Sequence, residues 1–200
     1  MKGLNQAGLH TQDSRLEGRA KAVNNRASAP SIHLRLKLAT RDEHNGVDLA
    51  LSRFNLVDAD DYAAFLELNH SALISLRPHW RSADEADFAG LVDALATDLI
   101  DLGAGSSTEA DSLSGLIDGL GLSYVVRGSR LGSKILRKRV GSELPTAYFD
   151  FRMGTPWARL LDQIDARGAA GSTDEQSLVA GAVRTFAVYA SLARPMEAAA

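Results

Sequence analysis

Tyr124-Val125-Val126-Arg127-Gly128-Ser129-Arg130-Leu131-Gly132-Ser133-Lys134-Ile135-Leu136 decides how this chain folds. It sits inside a helical region expected over about 109–141, ending before Pro145. Gly128 and Gly132 are four residues apart, so one helical face is stripped of side chains there. Two glycines inside a helix cost roughly 1.5–2 kcal/mol relative to two alanines. Two returns compensate. The bare face lets a neighbouring helix pack closely, or it lets the backbone kink and approach a flat ligand. The residues alone leave both open.

Outward from that stretch the pattern stays helical. Ser31 to about Phe54 reads as one helix opened by Pro30 and Ser31. Asp58 or Asp60 caps a second, with Tyr62, Phe65, Leu66, Leu73 and Leu76 as its apolar stripe, and Pro78 ends it. Phe88, Leu91, Val92, Leu95 and Leu99 mark a third over about 84–102, before a turn at 103–107. Thr155-Pro156 starts a helix to about Arg167. Ser172 and Glu175 offer a capping box for a last helix to about Ala193. Tyr148-Phe149-Asp150-Phe151 is the one strand candidate, and it is too short to carry a sheet. The fold class is all-α, a single-domain bundle of about six helices over 31–200. Residues 1–30, which are polar, are expected to form a flexible N-terminal extension.

Composition narrows the chemistry. The chain has 200 residues, 45% hydrophobic and 24% charged, with a formal net charge of −3. It lacks the basic footprint of a general nucleic-acid binder. The absence of cysteine removes disulfides, thiolate metal sites and thiol nucleophiles. No apolar run approaches a membrane span, and the first 30 residues carry no secretory core, so a cytoplasmic location is expected.

On the first helix, His44 shares a face with Thr40, Val47, Leu51 and Phe54, opposite Arg41, Asp42 and Asn45. An imidazole on an apolar stripe is either a core histidine satisfied by one hydrogen bond or a metal or cofactor ligand. Haem ligation needs that arrangement, with apolar walls for the macrocycle and one nitrogen for iron. Asp48, one turn on, stands where it can orient the ring. Arg127, Arg130, Lys134, Arg137, Lys138 and Arg139 crowd the glycine-bearing helix, as a solvated face or as a surface for anions. Glu67-Leu68-Asn69-His70 is a lone Glu-x-x-His motif, read as helix surface rather than half of a di-iron site.

Two stretches together carry a resemblance. Leu36-Lys37-Leu38-Ala39-Thr40-Arg41-Asp42-Glu43-His44 resembles the proximal-helix motif of biliverdin-producing haem oxygenases. Gly128-Ser129-Arg130-Leu131-Gly132 looks like their glycine-rich distal helix, closest to the bacterial, bacteriophytochrome-associated branch. The order and the separation of about 85 residues also match, and the similarity runs from about residue 31 to 193. The resemblance implies a haem-oxygenase-like bundle that cleaves haem, both cofactor and substrate, to biliverdin, iron and carbon monoxide. It uses dioxygen and electrons from an external reductase or ferredoxin, and a bacteriophytochrome is an implied receiver of the biliverdin. It assigns His44 as the iron ligand, Gly128, Ser129 and Gly132 to the distal, oxygen-facing kink, and Lys37 and Arg159 to the propionates. Thr40 belongs to the proximal motif, and Phe186 and Trp157 match aromatic positions around the haem. The chain departs from the family at Ser129, where the well-known members carry aspartate, and at Ser133, where a second glycine is usual and a side chain is expected to narrow the cleft. Those departures suit an alternative, a non-catalytic haem- or tetrapyrrole-binding relative. Thiaminase-type relatives share the fold but need a cysteine nucleophile.

Overall fold

The computed structural model describes residues 31–105, 115–168 and 171–194. The expected N-terminal extension and the expected helical stretch at 109–114 lie outside the described residues. Within them the chain is all-helical, with eight α-helices and no strand. In order these are α1 (Ile32–Ala39), α2 (Arg41–Leu51), α3 (Ala59–Leu76), α4 (Glu85–Asp101), α5 (Gly119–Arg137), α6 (Ala147–Asp150), α7 (Trp157–Gly168) and α8 (Ser172–Leu192). None of the described helices is long and apolar enough to cross a membrane.

The expected first helix is two. At Thr40 the backbone leaves helical geometry (φ −111°, ψ 10°), and both the Thr40 amide and its hydroxyl donate to the Leu36 carbonyl, at 3.0 and 2.9 Å. A threonine bonding back onto its own helix in this way bends it. Helicity also stops at Leu51, and Phe54 packs into the core beyond the helix end. The α3 expectation holds closely: the Asp58 side chain accepts from the Asp60 and Asp61 amides, which satisfies two orphan donors.

Two other expectations fail for identifiable reasons. Residues 148–150 are helical rather than extended, because buried Asp98 on α4 accepts from the Ala147 and Tyr148 amides at 2.7 and 2.9 Å and so caps α6 from another helix. The capping box at Ser172 does not form. Gly171 is the N-cap residue, at φ 156°, while Glu175 is paired with Arg35 on α1, Nε to Oε1 at 2.7 Å and Nη2 to Oε2 at 2.8 Å. The bidentate ion pair outcompetes the local motif.

The Asp98 cap gives the first prediction. Asp98→Ala strands two amides at the start of α6 and lowers the free energy of unfolding by about 2 kcal/mol. Urea denaturation checks this as a lower midpoint at unchanged slope.

α5 and α8 form the central pair, flanked by α2, α3 and α7 against α8. Their close approach uses Gly121 and Gly181. A Cβ at Gly121 would run into the Leu178 carbonyl and the Ala182 amide, and one at Gly181 would sit 2.6 Å from the Asp118 Cβ. The glycines that serve the α5–α8 packing are therefore Gly121 and Gly181, not Gly128 and Gly132.

Candidate functional site

α8 is the ruler along which the site is laid out. α1 meets it at Arg35–Glu175, and α2 meets it further on, where the His44 and Phe186 rings lie edge to face with centroids 5.7 Å apart. α5 begins beside Leu178 and Ala182 at Gly121, and its Arg130 lies within electrostatic range of Tyr189. α5 thus runs along α8 in the same direction, while α2 meets α8 at Phe186. α2 and α5 share no packed face of their own. The Tyr124 hydroxyl of α5 lies beside the Thr40 side chain, at the start of α2.

His44 is the anomaly of its helix face. Thr40, Val47 and Phe54 are buried, yet the His44 side chain is 56% exposed. Its Nδ1 lies 3.2 Å from Asp48 Oδ2, one turn on. A proton held on Nδ1 by that carboxylate leaves Nε2 with its lone pair, the state a metal ligand requires. Phe186 is buried beneath it and supplies an apolar floor.

α5 continues as one helix through both glycines. The two glycines differ. A Cβ at Gly128 would meet the Trp157 ring at 3.6 Å, whereas nothing lies within 4 Å of one at Gly132. Trp157 opens α7 and packs on Tyr124 with centroids 5.6 Å apart. Ser129 is exposed, but its hydroxyl donates to the Val126 carbonyl at 2.8 Å. Ser133 is buried on the core side, donating to the Arg130 carbonyl at 2.7 Å, so it does not narrow the glycine face as expected. Beside the glycines, Leu131 and Ile135 are exposed at 58% and 71%, an apolar stripe left open.

Lys37 and Arg159 are exposed on α1 and α7, and no contact among the described residues joins either to His44. The run of basic residues, expected on one helix, extends past the end of α5 at Arg137 and divides. Lys134, Lys138 and Arg139 are exposed, as a solvated face would be. Arg127 instead is buried, its side chain 2% exposed, with Nη2 2.6 Å from Asp84 Oδ1 and 2.8 Å from Asp87 Oδ2. Arg130 caps the end of α6 through the Tyr148 and Phe149 carbonyls, at 2.7 and 3.3 Å. Neither is available to an outside anion. His70, expected at the surface, is buried, while Glu67 is exposed, so the two do not act together.

Sequence reasoning missed this Arg127 network. Burial alone pushes the Asp84 carboxyl up, but hydrogen bonds from Arg81, Ser123 and Arg127 outweigh it and hold it below the usual range. Asp87 is likewise pushed up by burial and pulled lower by the Gly154 amide, Arg127 and the Thr155 amide. A signal was present: Leu120, Leu122, Val125 and Val126 cover most of the circumference of this half of α5, so a cation among them has little solvent to reach.

Among the described residues no three or more of His, Asp and Glu converge as a metal cluster would need. A single exposed imidazole over the Phe186 ring is instead compatible with a prosthetic group that brings its own iron. A groove of about 520 Å³ runs elsewhere along α8, lined by Ser172, Glu175, Gln176, Val179, Ala180 and Val183, and includes none of these site residues. No protein-family model matches the chain, and no curated protein matches it.

Proposed function

We propose that the chain is a haem oxygenase of the bacterial, bacteriophytochrome-associated type, with His44 as axial ligand. The observation that carries this reading is Gly132. Its bare face meets no neighbour, so close packing does not explain the glycine, and it lies on the helix whose Tyr124 reaches Thr40, one turn before His44. In a gap between α2 and the glycine-bearing face of α5, these residues would hold haem, which when bound would supply both the iron and the ring to be cleaved to biliverdin, iron and carbon monoxide, with dioxygen as oxidant and electrons from an external reductase or ferredoxin.

The chain's own residues bind, orient and exclude. Asp48 holds the His44 proton on Nδ1 and so presents Nε2. Phe186 and Trp157 supply apolar walls, and Leu131 and Ile135 extend them. Gly132 leaves room over the ring edge. Lys37 and Arg159, with long, exposed side chains, would hold the propionates. Ser129 donates toward the oxygen side once its hydroxyl rotates off the Val126 carbonyl. A cytoplasmic location and biliverdin delivery to a bacteriophytochrome belong to the same proposal.

A second reading, a non-catalytic haem or tetrapyrrole binder, is favoured by the Ser129 hydroxyl being bonded back to its own helix. Incubating the protein with hemin, dioxygen and a reductant separates the two. The enzyme replaces the haem spectrum with a bilin band, and the binder keeps a stable haem complex. Hemin that fails to bind at all contradicts both.

A further inference from the structure

The strap 153–155, which leads into α7, is clamped on both peptide groups. The Gly154 amide donates to Asp87 Oδ1 at 2.7 Å and the Thr155 amide to Asp87 Oδ2 at 3.2 Å. From the other side, Arg127 Nη1 donates to the Thr155 carbonyl at 3.3 Å, while its Nη2 bridges Asp84 and Asp87. Arg127 is itself fixed by Asp84, which Ser123 and Arg81 also hold. Two residues after Thr155 stands Trp157, whose ring backs Gly128 and packs on Tyr124.

We infer that Asp87 and Arg127 are positioning residues that hold Trp157 against Gly128, closing that end of the gap and leaving Gly132 as the end open to the reacting edge of the ligand. The inference rests on the haem-cleaving reading of the gap for its consequence, selectivity among the ring's meso carbons, but not for the clamp itself. The reasoning is geometric. Two adjacent glycine turns are equivalent by sequence, and what makes them unequal is one indole placed from outside by a buried ion pair. A rigid wall on one side restricts how a flat ligand can rotate in its plane, so the wall's position selects which edge faces Gly132.

The test uses the Trp80→Phe background, where Trp157 is the sole tryptophan. Trp80 Nε1 has no hydrogen-bond partner, so that change breaks none. Asp87→Asn removes one of the two acceptor oxygens and the charge. Asp87→Glu keeps the charge for Arg127 while displacing both amides. In the protein without hemin, both variants shift Trp157 emission to longer wavelength and make it more accessible to acrylamide. With hemin and reductant, both change the ratio of biliverdin isomers, and Trp157→Leu, which touches none of the charges, changes it the same way. Emission and quenching unchanged in both Asp87 variants overturn the clamp, even if melting temperature falls, because a merely structural role moves only the latter. A freed Trp157 with a wild-type isomer ratio overturns the assignment of selectivity. If the parent protein makes no bilin, the proposed function fails, and the fluorescence measurements still decide the clamp.

Discussion

Arg127→Met lowers the free energy of unfolding by about 3 kcal/mol, among the largest effects of any single substitution outside the apolar core. Removing one partner of a buried pair typically costs about 3–5 kcal/mol because the remaining charge is left without compensation. Arg81 still reaches Asp84, with Nε 2.6 Å from Oδ2, which places the effect at the low end of that range. Acid unfolding reads the same network. Asp84 and Asp87 have folded-state values below those of the unfolded chain, so their contribution is complete above the ordinary carboxylate range and is lost as pH falls through the folded values. Asp98 works in the opposite sense. Burial raises it against the two amides it accepts from, so its contribution is present at low pH and fades as pH rises through its folded value. In Arg127→Met the acid-side loss of stability flattens. Urea midpoints measured at neutral and acid pH test both statements, and an unchanged midpoint at neutral pH contradicts them.

Gly132→Leu separates stability from function. Nothing lies within 4 Å of a Cβ at this position, and leucine is a better helix former than glycine by about 0.8 kcal/mol. The variant is therefore at least as stable as the parent, yet its side chain occupies the space over the gap, and bilin formation falls by about a hundredfold. Thermal melts and hemin turnover measured on one preparation test this. Full turnover in Gly132→Leu removes the glycine from the site. Gly121→Ala is the contrasting case: its Cβ would run into the backbone of α8, so its effect falls on folding.

Helix positions were legible wherever local chemistry ruled. Asp58 caps α3, Pro156 precedes α7, and the apolar periodicity of α4 gave its extent to within a residue at each end. The failures share one cause, a distant partner overriding a local preference. Asp98 turns residues 147–150 into helix, and Arg35 takes Glu175 away from Ser172. Thr40, read as a face residue, breaks the helix through its own hydroxyl. At the site, the helical wheel grouped His44 with Thr40 and Val47, and periodicity could not say that the imidazole would be exposed while those two are buried. Nor could spacing tell packing glycines from open ones. Gly121, Gly128 and Gly132 look alike in sequence, and only the neighbours that surround each distinguish them. The charges on α5 mislead for a related reason: Arg127 and Lys134 are both basic, but the acidic residues of α4 face only the first.

The central claim is that His44 ligates haem iron from across the glycine face of α5. A hemin titration followed by optical and electron paramagnetic resonance spectra, on the parent and on His44→Ala, addresses it most directly. The parent binds one hemin with a Soret band and spectrum of imidazole ligation, and His44→Ala loses that ligation, with added imidazole restoring it. The same Soret band and the same imidazole signature in His44→Ala, without added ligand, contradict the account.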